Sequence, residues 1–335
     1  MTSQCRILFA AIIATPAFIV PAMADAPNVV ASIKPVHSLV AQVMQGVGEP
    51  ALLVDGAASP HTYSLKPSDA AALEQADVIF WVGAALEPFL EMPVETLGGG
   101  ATAVELSQTQ GLVTFSYREG GSFEAEEHET EPGHEDGHAS EGHSGREEAG
   151  GDHSHENDHA HEGIDMHLWL DPENAEILIG EIEKTLRAAD PANAERYRSN
   201  AQAAVAGIEA LQAQIAAELG PVKEKPFVVF HDAYQYFEKR FGLNTVGSIT
   251  VSPEVSPGAQ RVAEIRQRVS DLAAVCVFSE PQFEPRIIAT VIEGTDARSG
   301  VLDPEGADIP NGPELYPTLM RNLAKSLVGC LSAAN

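Results

Sequence analysis

Between residues 119 and 163 this chain has no Leu, Ile, Val, Met, Trp or Tyr, and Phe123 is the only aromatic residue there. So few apolar side chains cannot bury enough surface to offset the entropy of ordering the segment. It is expected to be a disordered loop, so any fold must be built from the sequence on either side. Those flanks alternate between short apolar runs and helical periodicity. Before the loop the apolar runs are 28–33, 51–54 and 77–82, followed by helical patterns at 36–45, 67–75 and 87–96. Pro67, with Ser68 and Asp69 behind it, marks a helix start. After the loop, 174–186 is helical. A second helical run, 194–219, opens after Pro191 and is stopped by Gly220 and Pro221. Strands are then expected at 227–230 and 274–278, and helices at 234–241, 259–269, 284–293 and 314–328. Such alternation predicts an α/β fold, with βαβ units around mostly parallel sheets.

Residues 1–24 have the form of a secretory signal. Arg6 supplies a short positive region, 7–20 is apolar, and Ala22, Met23 and Ala24 fit a small-residue cleavage site. The apolar stretch is too short and too interrupted by proline for a comfortable membrane span, and no other segment is apolar enough for one. Cleavage is expected after Ala24, leaving a soluble protein outside the cytoplasm, most simply in a bacterial periplasm. About 310 residues then remain, more than one core usually holds, which predicts two domains. The first is 25–190 and carries the loop; the second is 220–335; the helical run within 191–219 lies between them. At ~1.5 Å per residue that helix would be roughly 40 Å long. Cys5 leaves with the signal. Cys276 and Cys330 remain as an even pair in an oxidising compartment, where a disulfide is the default and two buried thiols the alternative.

The formal charge of -29 is uneven: 119–163 holds fifteen acidic side chains and one basic, Arg146, and so contributes -14. A chain this acidic does not bind nucleic acid or anionic membrane by charge; it attracts cations. The histidines point the same way. Eight of the twelve crowd into the acidic segment: His128, His134, His138, His143, His153, His155, His159 and His161. Three others, His61, His167 and His231, lie in sequence that looks ordered. Imidazole suits zinc, copper, nickel and iron far better than calcium or magnesium. One built transition-metal site and one loose reservoir would account for both groups. The bland alternative for the tract is a solvated acidic linker.

Taken singly, His61, His167 and His231 each read as an ordinary hydrogen-bonded histidine, and periodicity does not prove that they converge. Two of them follow strand-like runs, and in an open parallel sheet the strand ends face the ligand crevice. Asp165 and Asp171 flank His167 and could orient it. His37, at the start of an amphipathic helix, reads as structural or surface. The tract contains one H-E-x-x-H match, His155 to His159, a spacing that places two zinc ligands on one helix face in metalloproteases. Glycines surround it and no apolar stripe supports a helix, so the match reads as chance. No nucleophile–base pair or phosphate-binding glycine loop stands out.

The stretches VVASIKPVHSLVAQVM, DGAASPHTYSLKPSDAAALEQADVIFWVG, DMHLWLDPENA, FHDAYQYFEKRFGL, VCVFSEPQF and LDPEG span nearly all of the mature chain. Together they resemble the ZnuA group, the periplasmic zinc-binding components of bacterial zinc ABC importers. A His- and acid-rich loop before the second motif is typical of that group. The resemblance implies metal ligands at His61, His167 and His231, two Rossmann-like βα domains joined by a rigid helix, and a Zn2+ in the cleft between them. It implies delivery to an inner-membrane ABC permease by a monomeric binding protein that is not an enzyme, with the tract as an accessory zinc binder. The Cys276–Cys330 disulfide fits the zinc branch. Manganese-type relatives carry a carboxylate where His231 stands, and nitrogen there favours zinc. Some relatives have a glutamate just before the first histidine as a fourth ligand; Pro60 occupies that position here. The fourth ligand is then expected to be water or Asp303, which matches a ligating aspartate of the manganese-type relatives.

Overall fold

The computed structural model describes residues 26–118, 123, 163–250, 258–283 and 286–332. The expected signal, the eight clustered histidines and the H-E-x-x-H match lie outside the described residues.

In the first half, β1 (Val29–Ala31), β2 (Ala51–Leu52), β3 (Val78–Trp81) and β4 (Thr102–Glu105) pair in parallel in the order β2-β1-β3-β4. Helices α1 (Lys34–Val43), α2 (Pro67–Glu74) and α3 (Glu91–Thr96) make the crossovers that parallel pairing requires. Then come α4 (Pro172–Ala189) and the long α5 (Ala194–Leu219). In the second half, β5 (Phe227–His231), β6 (Thr245–Thr250), β7 (Cys276–Ser279) and β8 (Arg298–Val301) repeat the winding as β6-β5-β7-β8. Their connections contain α6 (Gln235–Phe241), α7 (Ala259–Asp271) and α8 (Arg286–Ile292), and α9 (Leu315–Ser332) follows β8. The fold is thus α/β with two domains, each carrying its own parallel sheet.

Strand periodicity sorts each sheet into two buried faces. Val29, Ala31, Val78 and Phe80 of the first sheet face one core, and Phe227, Val229, Cys276 and Phe278 of the second face the same one. Val30, Ile79 and Trp81 turn to a separate cluster, as do Val228, Phe230 and Val277 on the other side. Covering both faces is why these strands read as continuous apolar runs. Helices α1, α4, α5 and α9 fill the shared core. Along α5 the buried positions Tyr197, Ala201, Ala204, Ile208, Leu211, Ile215 and Leu219 recur every three or four residues, the stripe of an amphipathic helix. One apolar core therefore runs through both halves.

Strands β4, β6 and β8 are absent from the sequence-based expectation. All three sit at sheet edges. An edge strand pairs on one side only, and β4 and β8 are largely exposed or half-buried, so neither shows an unbroken apolar run. The helix expected over 87–96 starts instead as a 3-10 turn, Pro88–Leu90, before α3. Cys276 and Cys330 form a disulfide that ties β7 to α9, with a Cα–Cα distance of 6.3 Å. No helix among the described residues is long and apolar enough to cross a membrane.

Candidate metal centre

Parallel strands deliver their C-terminal ends to one edge of a sheet, and the loops leaving that edge form the crevice. His231 is the last residue of β5. His61 follows β2 in a turn closed by the Thr62 N–H to the Ser59 carbonyl at 3.3 Å. His167 caps the 3-10 turn Leu168–Leu170, which is held from the second half: Trp169 Nε1 donates to the Pro304 carbonyl at 2.9 Å, and the Tyr316 hydroxyl donates to the Trp169 carbonyl at 2.9 Å.

These placements bring the three histidines together. One nitrogen of each lies within 4.8 Å of the others, and the ring centroids are 5.2 to 5.9 Å apart. Nε2 of His167 and Nε2 of His231 are 3.3 Å apart. A tetrahedral zinc with nitrogen ligands at ~2.0–2.1 Å spaces those ligands by about 3.3–3.4 Å. The space that they enclose with Glu280, Phe283 and Glu305 is about 10 Å³, which suits an ion and not an organic molecule.

Two carboxylates orient the imidazoles. Asp165 Oδ1 lies 2.8 Å from His167 Nδ1 and also accepts the His167 backbone N–H at 3.1 Å. Glu280 Oε1 lies 2.7 Å from His231 Nδ1. A proton held on Nδ1 by its carboxylate leaves the Nε2 lone pair facing the cleft, the tautomer that a metal needs. The sequence points to Asp165 as such a partner, and the structure agrees. It points to Asp171 as well, but the Asp171 carboxylate is engaged elsewhere. It caps α4 by accepting the Glu173 N–H at 3.0 Å and holds Arg240 Nε and Nη2 at 2.7 and 2.8 Å. Glu280 escapes the sequence pattern, although its place in VFSEPQF, just past β7, is the crevice edge of the sheet.

Burial, followed by the proximity of His167 and His231, pushes the His61 imidazole down to about 2, so it stays neutral. For His231 burial is the largest effect and acts in the same downward direction, but the carboxylates of Glu280, Asp232 and Asp165 together outweigh it and the net shift is upward. Asp303 turns its carboxylate elsewhere: Oδ1 accepts from Gln282 Nε2 and the Glu305 and Gly306 N–H groups at 2.9 to 3.1 Å, and Oδ2 accepts the Ala307 N–H at 2.6 Å. Among the described residues the ligand cluster contains the three histidines and no carboxylate. His37 is buried, with Nε2 3.0 Å from the Pro50 carbonyl, in keeping with a structural role.

A family model described as "ZnuA: Zinc-uptake complex component A periplasmic" matches residues 29–330. The chain is 54% identical over 306 residues, 91% of its length and 92% of the relative's, to the high-affinity zinc uptake system protein ZnuA of Brucella suis. It is 38% identical to the Paracoccus denitrificans protein of the same name over 358 aligned positions, covering 99% of this chain and 100% of that one. Among solved structures, a ZnuA deletion mutant lacking 138–173 with zinc bound superposes with a TM-score of 0.70 at 22% identity, covering 93% of this chain and 100% of that one.

Proposed function

The chain belongs to the ZnuA family of zinc-uptake complex components, and from that premise we propose that it captures Zn2+ in the periplasm and passes it to an inner-membrane ABC permease. His61, His167 and His231 are its ligands, with a water as the fourth, since Asp303 is engaged by backbone N–H groups. The observation that carries this reading is the 3.3 Å separation of two imidazole nitrogens, each backed by a buried carboxylate. Three nitrogens favour zinc over manganese, a harder ion that prefers oxygen. The protein does no chemistry on its cargo, acts as a monomer, and is released by cleavage after Ala24. Its domains are 25–190 and 220–335, with the helix within 191–219 between them.

The eight histidines and fifteen acidic residues of the tract form an accessory reservoir. Each ion there must order a chain that has no core of its own, and that entropy lowers net affinity. Titrating full-length protein and a variant lacking 124–162 side by side tests both parts. One tight zinc is expected in each, with additional weak zinc only in the full-length chain. Loss of the tight site on deletion would mean that the two histidine groups have been assigned the wrong way round.

Acid should weaken capture. Metal binding requires neutral imidazole, so an imidazolium in the free protein must first lose one of its two ring protons. His231, raised above its ordinary value of 6.5 beside Glu280, holds its proton to higher pH than a free imidazole. His61, pushed down to about 2, offers no such competition in this range. Affinity therefore rises with pH through the region just above 6.5 and falls progressively below it. Chelator competition from pH 8 to 5 checks this; a flat profile contradicts imidazole ligation.

A further inference from the structure

The 119–163 segment leaves and rejoins the fold at a stem that lies beside the metal centre. Ser116 and Ile164 form an antiparallel bridge, and the Asp165 N–H donates to the Phe115 carbonyl at 2.8 Å. This stem belongs to the first half but rests on α6 of the second. The Phe115 N–H donates to the Tyr236 hydroxyl at 3.3 Å, that hydroxyl donates to the Asp165 carbonyl at 2.6 Å, and Gln235 Nε2 donates to the Ser116 carbonyl at 3.1 Å. Arg118 completes the seam. Its guanidinium forks onto Asp232, with Nε 2.9 Å from Oδ2 and Nη2 on Oδ1, while Nη1 reaches Glu238 Oε2 at 2.7 Å. The Phe123 ring stacks on it, 3.9 Å from guanidinium carbon to ring centroid. The one aromatic residue of the segment is thus used at its root.

Two relations join this seam to the site. Asp232 directly follows His231. Gln235 also reaches Asp165 Oδ2 at 3.4 Å, and Asp165 Oδ1 holds His167. Each of the two close histidines is therefore one residue away from the stem. Asp232 and Glu238 are buried, at 6% and 4% exposure. Buried ion pairs seldom stabilise a fold more than apolar residues of the same volume, because desolvation offsets the attraction. A planar, bidentate guanidinium adds fixed geometry, which a point charge does not. Helix α6 is anchored at its last turn as well, through Arg240 on Asp171.

We propose that Arg118 is a positioning residue of the metal site: by pinning the stem to Asp232 and Glu238 it holds His231 at its spacing from His167. This rests on the three-histidine cluster being the zinc site. The test uses the full chain as wild type, Arg118→Met and Arg118→Lys. It measures Zn2+ affinity by chelator competition, the visible bands of bound Co2+ (intense in tetrahedral sites), and melting of the metal-free protein. In Arg118→Met the zinc dissociation constant should rise roughly tenfold, the low end for losing an outer partner of a metal ligand, and the Co2+ bands should weaken. Arg118→Lys keeps the charge without the fork and should recover little. If Arg118→Met does not fold, the variant Arg118→Met/Asp232→Asn/Glu238→Gln removes the stranded charges and should show the same loss. Lower melting with unchanged zinc affinity and Co2+ bands would reduce Arg118 to a structural residue and overturn the proposal. If wild type itself binds no zinc tightly, the zinc assignment falls and this inference with it.

Discussion

Replacing His231 by alanine should weaken Zn2+ binding by at least about two orders of magnitude. Tight four-ligand zinc sites are worth about 10–16 kcal/mol near neutral pH, or roughly 3 kcal/mol per ligand, and each 1.4 kcal/mol is tenfold. His61→Ala and His167→Ala should lose a comparable amount. Removing the His231 imidazole also leaves Glu280 buried without the ring now 2.7 Å from it, as removing that of His167 does for Asp165 at 2.8 Å. A carboxylate in that position takes up a proton and its supporting structure relaxes, so the remaining two ligands are also held less well. His37→Ala is the internal control: its ring bonds the Pro50 carbonyl and lies outside the cluster, so the fold can suffer while zinc affinity stays the same. Isothermal calorimetry against a competing chelator distinguishes these cases. Undiminished tight binding in His231→Ala would remove this histidine from the site.

How far the sequence foretold this arrangement depends on how local the cause is. The stripe along α5 is set by residues three and four apart, so its limits follow from composition and the flanking Pro191 and Gly220. Central strands bury both faces, and their continuous apolar runs announce them. Edge strands β4, β6 and β8 pair on one side only and leave no such mark. The convergence of His61, His167 and His231 is a long-range property: it depends on two sheets winding the same way and on loops from both meeting at 3.3 Å, which no spacing encodes. Only resemblance of whole motifs pointed to it. Glu280 and Arg118 are harder still. Glu280 bonds the ring of one of these histidines and Arg118 the residue beside it, from positions 49 and 114 residues away from their partners. Asp171 shows the converse error: proximity in sequence suggested a bond to His167, but helix capping and Arg240 claimed its carboxylate.

Loss of the disulfide should destabilise the protein heavily while sparing the metal site. Cys276 and Cys330 are 54 residues apart, and closing a loop of that length lowers the entropy of the unfolded chain by the equivalent of about 4 kcal/mol. Folded domains typically stand only about 5–15 kcal/mol above their unfolded state, so this is a large share. The cross-link joins the fully buried start of β7 to the last turns of α9. Without it α9 keeps its apolar contacts through Leu319, Leu323, Leu327 and Leu331, along with the bonds from Arg298 Nη2 to the Cys330 carbonyl and from Lys225 Nζ to the Leu331 carbonyl. The folded state should therefore retain its shape and lose stability. Glu280 lies four residues beyond Cys276, about 13 Å along an extended strand, at the opposite end of β7 from the cross-link. Zinc affinity at 25 °C should accordingly change little. Urea unfolding of metal-free Cys276→Ala/Cys330→Ala against wild type measures the first effect, and chelator competition the second. Thiol titration of unfolded, unreduced wild type should find no free sulfhydryl in the mature chain. Two free thiols, or a stability loss no larger than the roughly 0.5 kcal/mol of an ordinary surface substitution, would show that α9 is held by packing alone.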